Sequence, residues 1–231
     1  MDSTRETQLK LYYLFLNADG RISSEESDKF DSICDSMKIG GSDRQEIKNW
    51  GKKAEGKSTF DILNMAKRLL KCEKEISFMQ YENGRIEISM VEDDEANSAI
   101  SNIFGNASKG ETIASGGLVR KPVGYFEKME MKEKAEIIWT LISLAYSDDE
   151  YSEAEKTFIR LVSLIYKFDK KVMAEFIDTA DTMQMLEDKK DWIKKSGKAY
   201  DEITDKLKAI DDEIKSLYRD VQITIDEIDA A

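Results

Sequence analysis

From Ile193 onward an apolar or small residue returns every three or four positions: Ser196, Tyr200, Ile203, Leu207, Ile210, Ile214, Leu217, Val221, Thr224 and Ile228. Only an α-helix brings side chains at that spacing onto one face. The stripe therefore predicts one long amphipathic helix from about Ala199 to Ile228, roughly 45 Å long for about 30 residues. Proline breaks helices and occurs once in 231 residues. The expected fold class is all-α.

The same spacing recurs upstream. Thr4 to Asn17 reads as a helix with Leu9, Tyr12, Tyr13 and Leu16 on one face, stopping at Ala18-Asp19-Gly20. A second helix starts near Ser24, turns Phe30, Ile33, Cys34 and Met37 inward, and ends at Gly40-Gly41. Ser42 is placed to cap a third helix with Ile47 and Trp50. Ser58 or Thr59 caps a fourth, with Ile62, Met65, Ala66, Leu69 and Leu70 as its stripe. Asn83-Gly84 between Ser77–Tyr81 and Ile86–Met90 is a two-residue hairpin signal. The rival reading carries the fourth helix on to about Tyr81. Asn97 to Gly124 is rich in Gly, Ser and Asn and reads as a loop. Helices resume near Glu127 and break at Ser147-Asp148-Asp149. One follows with Phe158, Ile159, Leu161, Val162 and Ile165, and another runs from Asp169 to Lys195.

Composition excludes several kinds of chemistry. There is no histidine, so Ser-His-Asp triads, Cys-His dyads and imidazole metal ligands are impossible. The two cysteines, Cys34 and Cys72, lie in helical apolar patterns and read as buried thiols. A net charge of −12 argues against nucleic acid and anionic membrane surfaces, which both need clustered cations. The longest apolar stretch, Ile137 to Ser147, is too short to span a bilayer, and charge begins at Asp2. The expectation is a cytoplasmic acidic helical protein. A metal bound here would be held by oxygen ligands.

Two segments resemble each other at an offset of 129 residues. Leu16-Asn-Ala-Asp-Gly-Arg-Ile-Ser-Ser-Glu-Glu26 matches Ala145-Tyr-Ser-Asp-Asp-Glu-Tyr-Ser-Glu-Ala-Glu155. Asp19 aligns with Asp148, Ser23 with Ser152, Glu26 with Glu155, Phe30 with Ile159 and Ile33 with Val162. The first motif, Ala18-Asp19-Gly20-Arg21-Ile22-Ser23-Ser24-Glu25-Glu26, resembles that of the tellurite-resistance TerB-like family. In the second copy Asp149 stands for the glycine and Tyr151 for the aliphatic residue. The resemblance covers roughly residues 9 to 175. It implies a pseudo-two-fold helical bundle and an acidic, metal-associated module of stress response and phage defence. The family's acidic motif positions fall on Asp19, Glu26, Asp148 and Glu155.

Those four carboxylates have two physical readings. If the two halves pack face to face, they could form an oxygen cage for Ca²⁺ or a similar hard divalent cation. An EF-hand echo is only partial, because Phe15 would stand at the first ligand position. Alternatively, Ser23-x-x-Glu26 and Ser152-x-x-Glu155 are capping boxes that satisfy orphan amides at helix starts. Both can hold at once, since a cap fixes the geometry a ligand needs.

Gly51-Lys-Lys-Ala-Glu-Gly-Lys-Ser58 fits a phosphate-loop string literally. What precedes it is charged and helical rather than an apolar strand, so no nucleotide is expected there. The C-terminal stripe either joins a protein partner or a second copy, or lies on its own domain. Tyr218 and Ile225 make it wider than a two-stranded seam, and Lys206 with Asp211 is the one obvious parallel charge pairing. Residues 1–175, with an insertion at about 76–126, are expected to form the helical domain, and 176–231 a helical extension. The expected function is a non-catalytic module binding a divalent cation. The alternative is a metal-free coiled-coil adaptor.

Overall fold

A computed structural model describes residues 2–72, 76–90, 113–114, 129–147, 151–197 and 200–228. Eight helices stand among them: α1 (Ser3–Phe15), α2 (Ser24–Ser36), α3 (Gly41–Gly51), α4 (Thr59–Leu69), α5 (Met131–Ala145), α6 (Glu153–Tyr166), α7 (Lys170–Lys194) and α8 (Tyr200–Glu227). Three short strands, β1 (Ile76–Gln80), β2 (Ile86–Met90) and β3 (Ile113–Ala114), form one sheet in the order β2-β1-β3. The fold is thus predominantly helical. No described helix is long and apolar enough to cross a membrane.

The chain divides into two compact units, residues 1–129 with 152–166, and residues 130–151 with 167–231. Residues 175 and 176, between which a domain boundary was expected, both lie inside α7.

The first unit holds α1 to α4, the sheet and α6. Helix α1 is its centre, with Leu9, Leu11, Tyr12, Leu14 and Phe15 buried. Its start is capped by Asp2, whose Oδ1 accepts from the amides of Thr4 and Arg5 at 3.0 and 2.9 Å. Those bonds favour the ionised carboxylate and hold its pKa below the usual range. Tyr13 meets Phe30 edge-on at 5.3 Å, and Phe15 meets Phe158 of α6 at 5.4 Å.

Helix α3 begins two residues earlier than its sequence signal. Gly40 takes the N-cap position with no side-chain cap, so Ser42 lies within the helix. Ser58 does cap α4, accepting from the amide of Asp61 at 3.2 Å. Along α4 the buried set is Ile62, Leu63, Ala66, Lys67 and Leu70, while Met65 and Leu69 are half-buried. Lys67 is buried because its amine has partners: it donates to the Ile76 carbonyl and sits 4.6 Å from the Phe78 ring centre.

The hairpin forms, and the rival helical extension does not. Its loop has three residues rather than two. Gly84 adopts φ +81°, and its amide donates to Tyr81 O at 2.9 Å. The Tyr81 amide then pairs with Arg85 O at 2.9 Å, the pattern of a turn followed by a left-handed glycine. Of the Gly-rich segment, only Ile113–Ala114 is described, and it pairs antiparallel with Met79 and Phe78 of β1. The rest of the expected loop lies outside the described residues.

The second unit holds α5, α7 and α8. Asp169 caps α7 through the amides of Lys171 and Val172 at 2.7 and 3.1 Å. Helices α7 and α8 bury Leu186, Ile193, Ile203 and Ile210 in one cluster, with Leu207, Ile214 and Leu217 half-buried against it. On α5, Trp139 meets Phe176 of α7 at 5.5 Å and Tyr218 of α8 at 6.1 Å, both edge-on. The C-terminal stripe is therefore occupied within the chain. Asp211 pairs with Lys190 of α7 at 2.8 Å.

Candidate functional site

The repeat is structural as well as sequential. Shifting α2 by 129 residues lands on 153–165, against the observed α6 (Glu153–Tyr166). At the first turn Gly20 closes the end of α1, with φ +92° and its amide on Asn17 O at 3.0 Å. Asn17 is buried and donates its side-chain amide to Tyr13 O at 2.8 Å. Thr59, the first residue of α4, hydrogen-bonds Ala18 O at 2.9 Å and pins the turn from outside.

Both copies of the repeat carry capping boxes of matching geometry. Glu26 Oε2 accepts from the Ser23 amide at 2.7 Å, and Ser23 Oγ accepts from the Glu26 amide at 3.1 Å. The second copy gives 2.8 Å for Ser152 N to Glu155 Oε2 and 3.2 Å for Glu155 N to Ser152 Oγ. Each glutamate is only 4% exposed. A carboxylate tolerates such burial when charge-assisted amide hydrogen bonds and a helix N-terminus compensate for lost water.

The helix ends repeat too. Lys38 and Lys167, again 129 apart, both adopt positive φ (57° and 52°), and each precedes a buried apolar residue, Ile39 and Phe168. At α2 the end is a full Schellman closure: Ile39 N to Cys34 O at 2.9 Å and Lys38 N to Asp35 O at 3.0 Å. Lys71 and Cys72 repeat it after α4, with Cys72 N to Lys67 O at 3.0 Å. Lysine has no intrinsic preference for that backbone, which is why sequence reading passed over it. Its charge beside the last carbonyls is favourable.

The four sequence-predicted ligands stand as follows. Asp19 is exposed, and its Oδ1 accepts from the Arg21 amide at 3.1 Å, with Arg21 Nε 3.7 Å from Oδ2. Glu26 and Glu155 hold caps. Asp148 lies outside the described residues. Among the described residues no group of three or more Cys, Asp or Glu side chains is arranged to hold a metal ion.

Sequence reading missed a different kind of feature. On α7, Met185 is 71% exposed and Trp192 72%, seven residues apart and so on one stripe of the helix. Each sits one residue from a seam position, Leu186 or Ile193. The signal was present as two large apolar residues out of phase with the buried stripe. Around Cys34, burial pushes the thiol pKa up to about 11, so it carries no nucleophile at neutral pH.

Comparison with family models, with curated proteins and with solved structures gives no match for this chain.

Proposed function

We propose that the chain is a non-catalytic helical adaptor that docks a partner protein through the outer face of the α7–α8 hairpin. The observation that carries this reading is the exposed pair Met185 and Trp192. Tryptophan and methionine are enriched at interface centres, where one buried indole can supply 2 kcal/mol or more of binding. Exposing two such groups on one stripe costs solubility and is offset by a partner that covers them. The buried α7–α8 seam holds that stripe on a stiff support. Proximity labelling in cells with the wild-type chain and with Met185→Ser/Trp192→Ser tests the reading. Loss of a defined set of neighbours in the variant supports it; identical sets overturn it. Light scattering over a concentration series separates a second copy from an unlike partner.

A second reading, a divalent-cation module related to the TerB-like family, rests on the repeated turn with its matching caps. Glutamine at Glu26 and Glu155 keeps a capping acceptor but removes the charge a cation needs. Thermal unfolding in EDTA and with Ca²⁺, Mg²⁺ or Mn²⁺ restored reads the difference. A bound ion at a hundredfold excess over its Kd adds about 2.7 kcal/mol. Stabilisation by an ion that survives Glu26→Gln/Glu155→Gln would remove those ligands from the assignment.

A further inference from the structure

In the first unit a cleft of about 590 Å³ opens between the start of α4, the Asn83-Gly84 turn and the first half of α6. Two guanidiniums line it, Arg85 after the turn and Arg160 on α6. Arg5, Arg21 and Arg44 each pair with an aspartate. Arg85 and Arg160 have no carboxylate within ion-pairing distance among the described residues. In a chain of net charge −12, two such cations in one cleft are a conspicuous local excess. The Arg85 backbone is fixed at the turn, its amide donating to Asn83 Oδ1 at 3.1 Å, and its exposed guanidinium lies 5.8 Å from the Tyr81 ring centre.

The rest of the lining fits an anion. The one carboxylate there, Glu153, is 89% exposed and paired with Lys156 at 3.0 Å. Thr59 and Thr157 spend their hydroxyl hydrogens on Ala18 O and Glu153 O. The donors left to a ligand are thus the guanidiniums, the Asn83 side-chain amide and first-turn amides. Thr59 is the first residue of α4, and Glu153 and Ala154 are the first two of α6, so their amides belong to the set that a helix cannot satisfy itself. Those amides add hydrogen-bond donors beside the two arginines, although Asp61 and Glu155 already offset the positive ends of the two helices.

We propose that this cleft binds the phosphate group of a small phosphate monoester. A monoester phosphate carries nearly two negative charges and matches two guanidiniums better than a carboxylate does. The cleft is larger than one phosphate, and Ile86 and Ala154 give the organic part an apolar wall. The site uses neither Lys57 nor the glycine string around it, and it is independent of both readings above.

The test titrates the full chain with inorganic phosphate, ribose 5-phosphate and AMP, against sodium chloride of equal ionic strength. Melting temperature gives the affinity, and backbone amide NMR shifts give the place. The expected result is stabilisation beyond chloride, tighter for at least one monoester than for inorganic phosphate. Shifts should cluster at Asn83–Ile86, at the start of α4 and at Glu153–Arg160, and affinity should fall at least tenfold in Arg85→Gln/Arg160→Gln. The two esters distinguish a nucleotide from a sugar source. Stabilisation no greater than chloride's, equal affinity for inorganic phosphate and both esters, shifts clustered elsewhere, or unchanged affinity in a folded double variant would overturn the proposal. If the double variant fails to fold, the wild-type affinities and shift map decide alone.

Discussion

Glu26 and Glu155 show what a single acidic side chain can do when it is nearly fully buried. Each closes the first turn of a helix by accepting its N-cap amide, while the serine three residues earlier returns the bond. The Ser-x-x-Glu pattern was legible in the sequence because capping depends on local spacing alone. The burial was not, because it depends on what packs over the turn. Replacing Glu26 with Ala should cost about 1–3 kcal/mol in urea unfolding, since the Ser23 amide loses its acceptor. Glu26→Gln should cost under about 1 kcal/mol, because an amide oxygen still accepts. Equal losses for the two variants would show that charge, not capping, holds the position. Cys34 offers a pH-dependent counterpart. Its pKa rises from 9.0 to about 11 on folding, mainly through burial, so the folded state disfavours the thiolate. The associated stability is fully present below about pH 9 and is lost as pH rises toward 11. Melting temperature should fall across that window, and the fall should be shallower in Cys34→Ser. Iodoacetamide should label native Cys34 far more slowly at pH 8 than an unfolded thiol.

At the level of elements, helix existence was readable from periodicity, whereas ends and exceptions needed tertiary contacts. The third helix starts at Gly41 rather than after Ser42, because nothing in the local sequence reveals which cap the surrounding packing favours. The lysines at positive φ were not legible, because lysine has no preference for that backbone, although the repeat puts Lys38 and Lys167 in register. Ile113–Ala114 joins β1 from a segment whose composition reads as loop, a long-range pairing with no local signature. Three of the residues that give the phosphate-loop string its pattern, Gly51, Gly56 and Ser58, each have a structural explanation. Gly51 ends α3 where the Tyr13 ring lies, Gly56 turns the chain at φ +67°, and Ser58 caps α4. A Cβ on Gly51 would stand 1.9 Å from Tyr13 Cδ1 and 2.3 Å from Cε1. Gly51→Ala should therefore destabilise by about 1–3 kcal/mol, as overpacking does, although alanine favours a helix by about 1 kcal/mol. A rise in melting temperature for Gly51→Ala would show that the Tyr13 ring moves aside at little cost.

Across the whole molecule, the long C-terminal stripe was the strongest sequence signal, yet it did not name its own partner. Periodicity specifies which face of α8 is apolar, not whether that face meets α7, another copy or a different protein. The answer lies in residues distant in sequence: Leu186 and Ile193 fill the seam, Trp139 meets Tyr218, and Lys190 sits between Glu187 and Asp211. That double ion pair raises the Lys190 pKa and lowers that of Asp211. Each unit has its own buried apolar residues and its own indole probe, Trp50 in the first and Trp139 in the second. Cutting Ile210 to alanine removes a fully packed side chain from the α7–α8 seam and should cost about 2–5 kcal/mol. Urea unfolding of two tryptophan backgrounds reads where that loss falls. Trp139→Phe/Trp192→Phe leaves Trp50 to report on the first unit, and Trp50→Phe leaves the second unit's indoles. Because Ile210 belongs to the α7–α8 cluster of the second unit, Ile210→Ala should move the Trp139 transition to lower urea by more than it moves the Trp50 transition. Equal shifts in both backgrounds would mean that the two units unfold as one cooperative body, with the α8 seam contributing to the stability of the repeat and its capped turns.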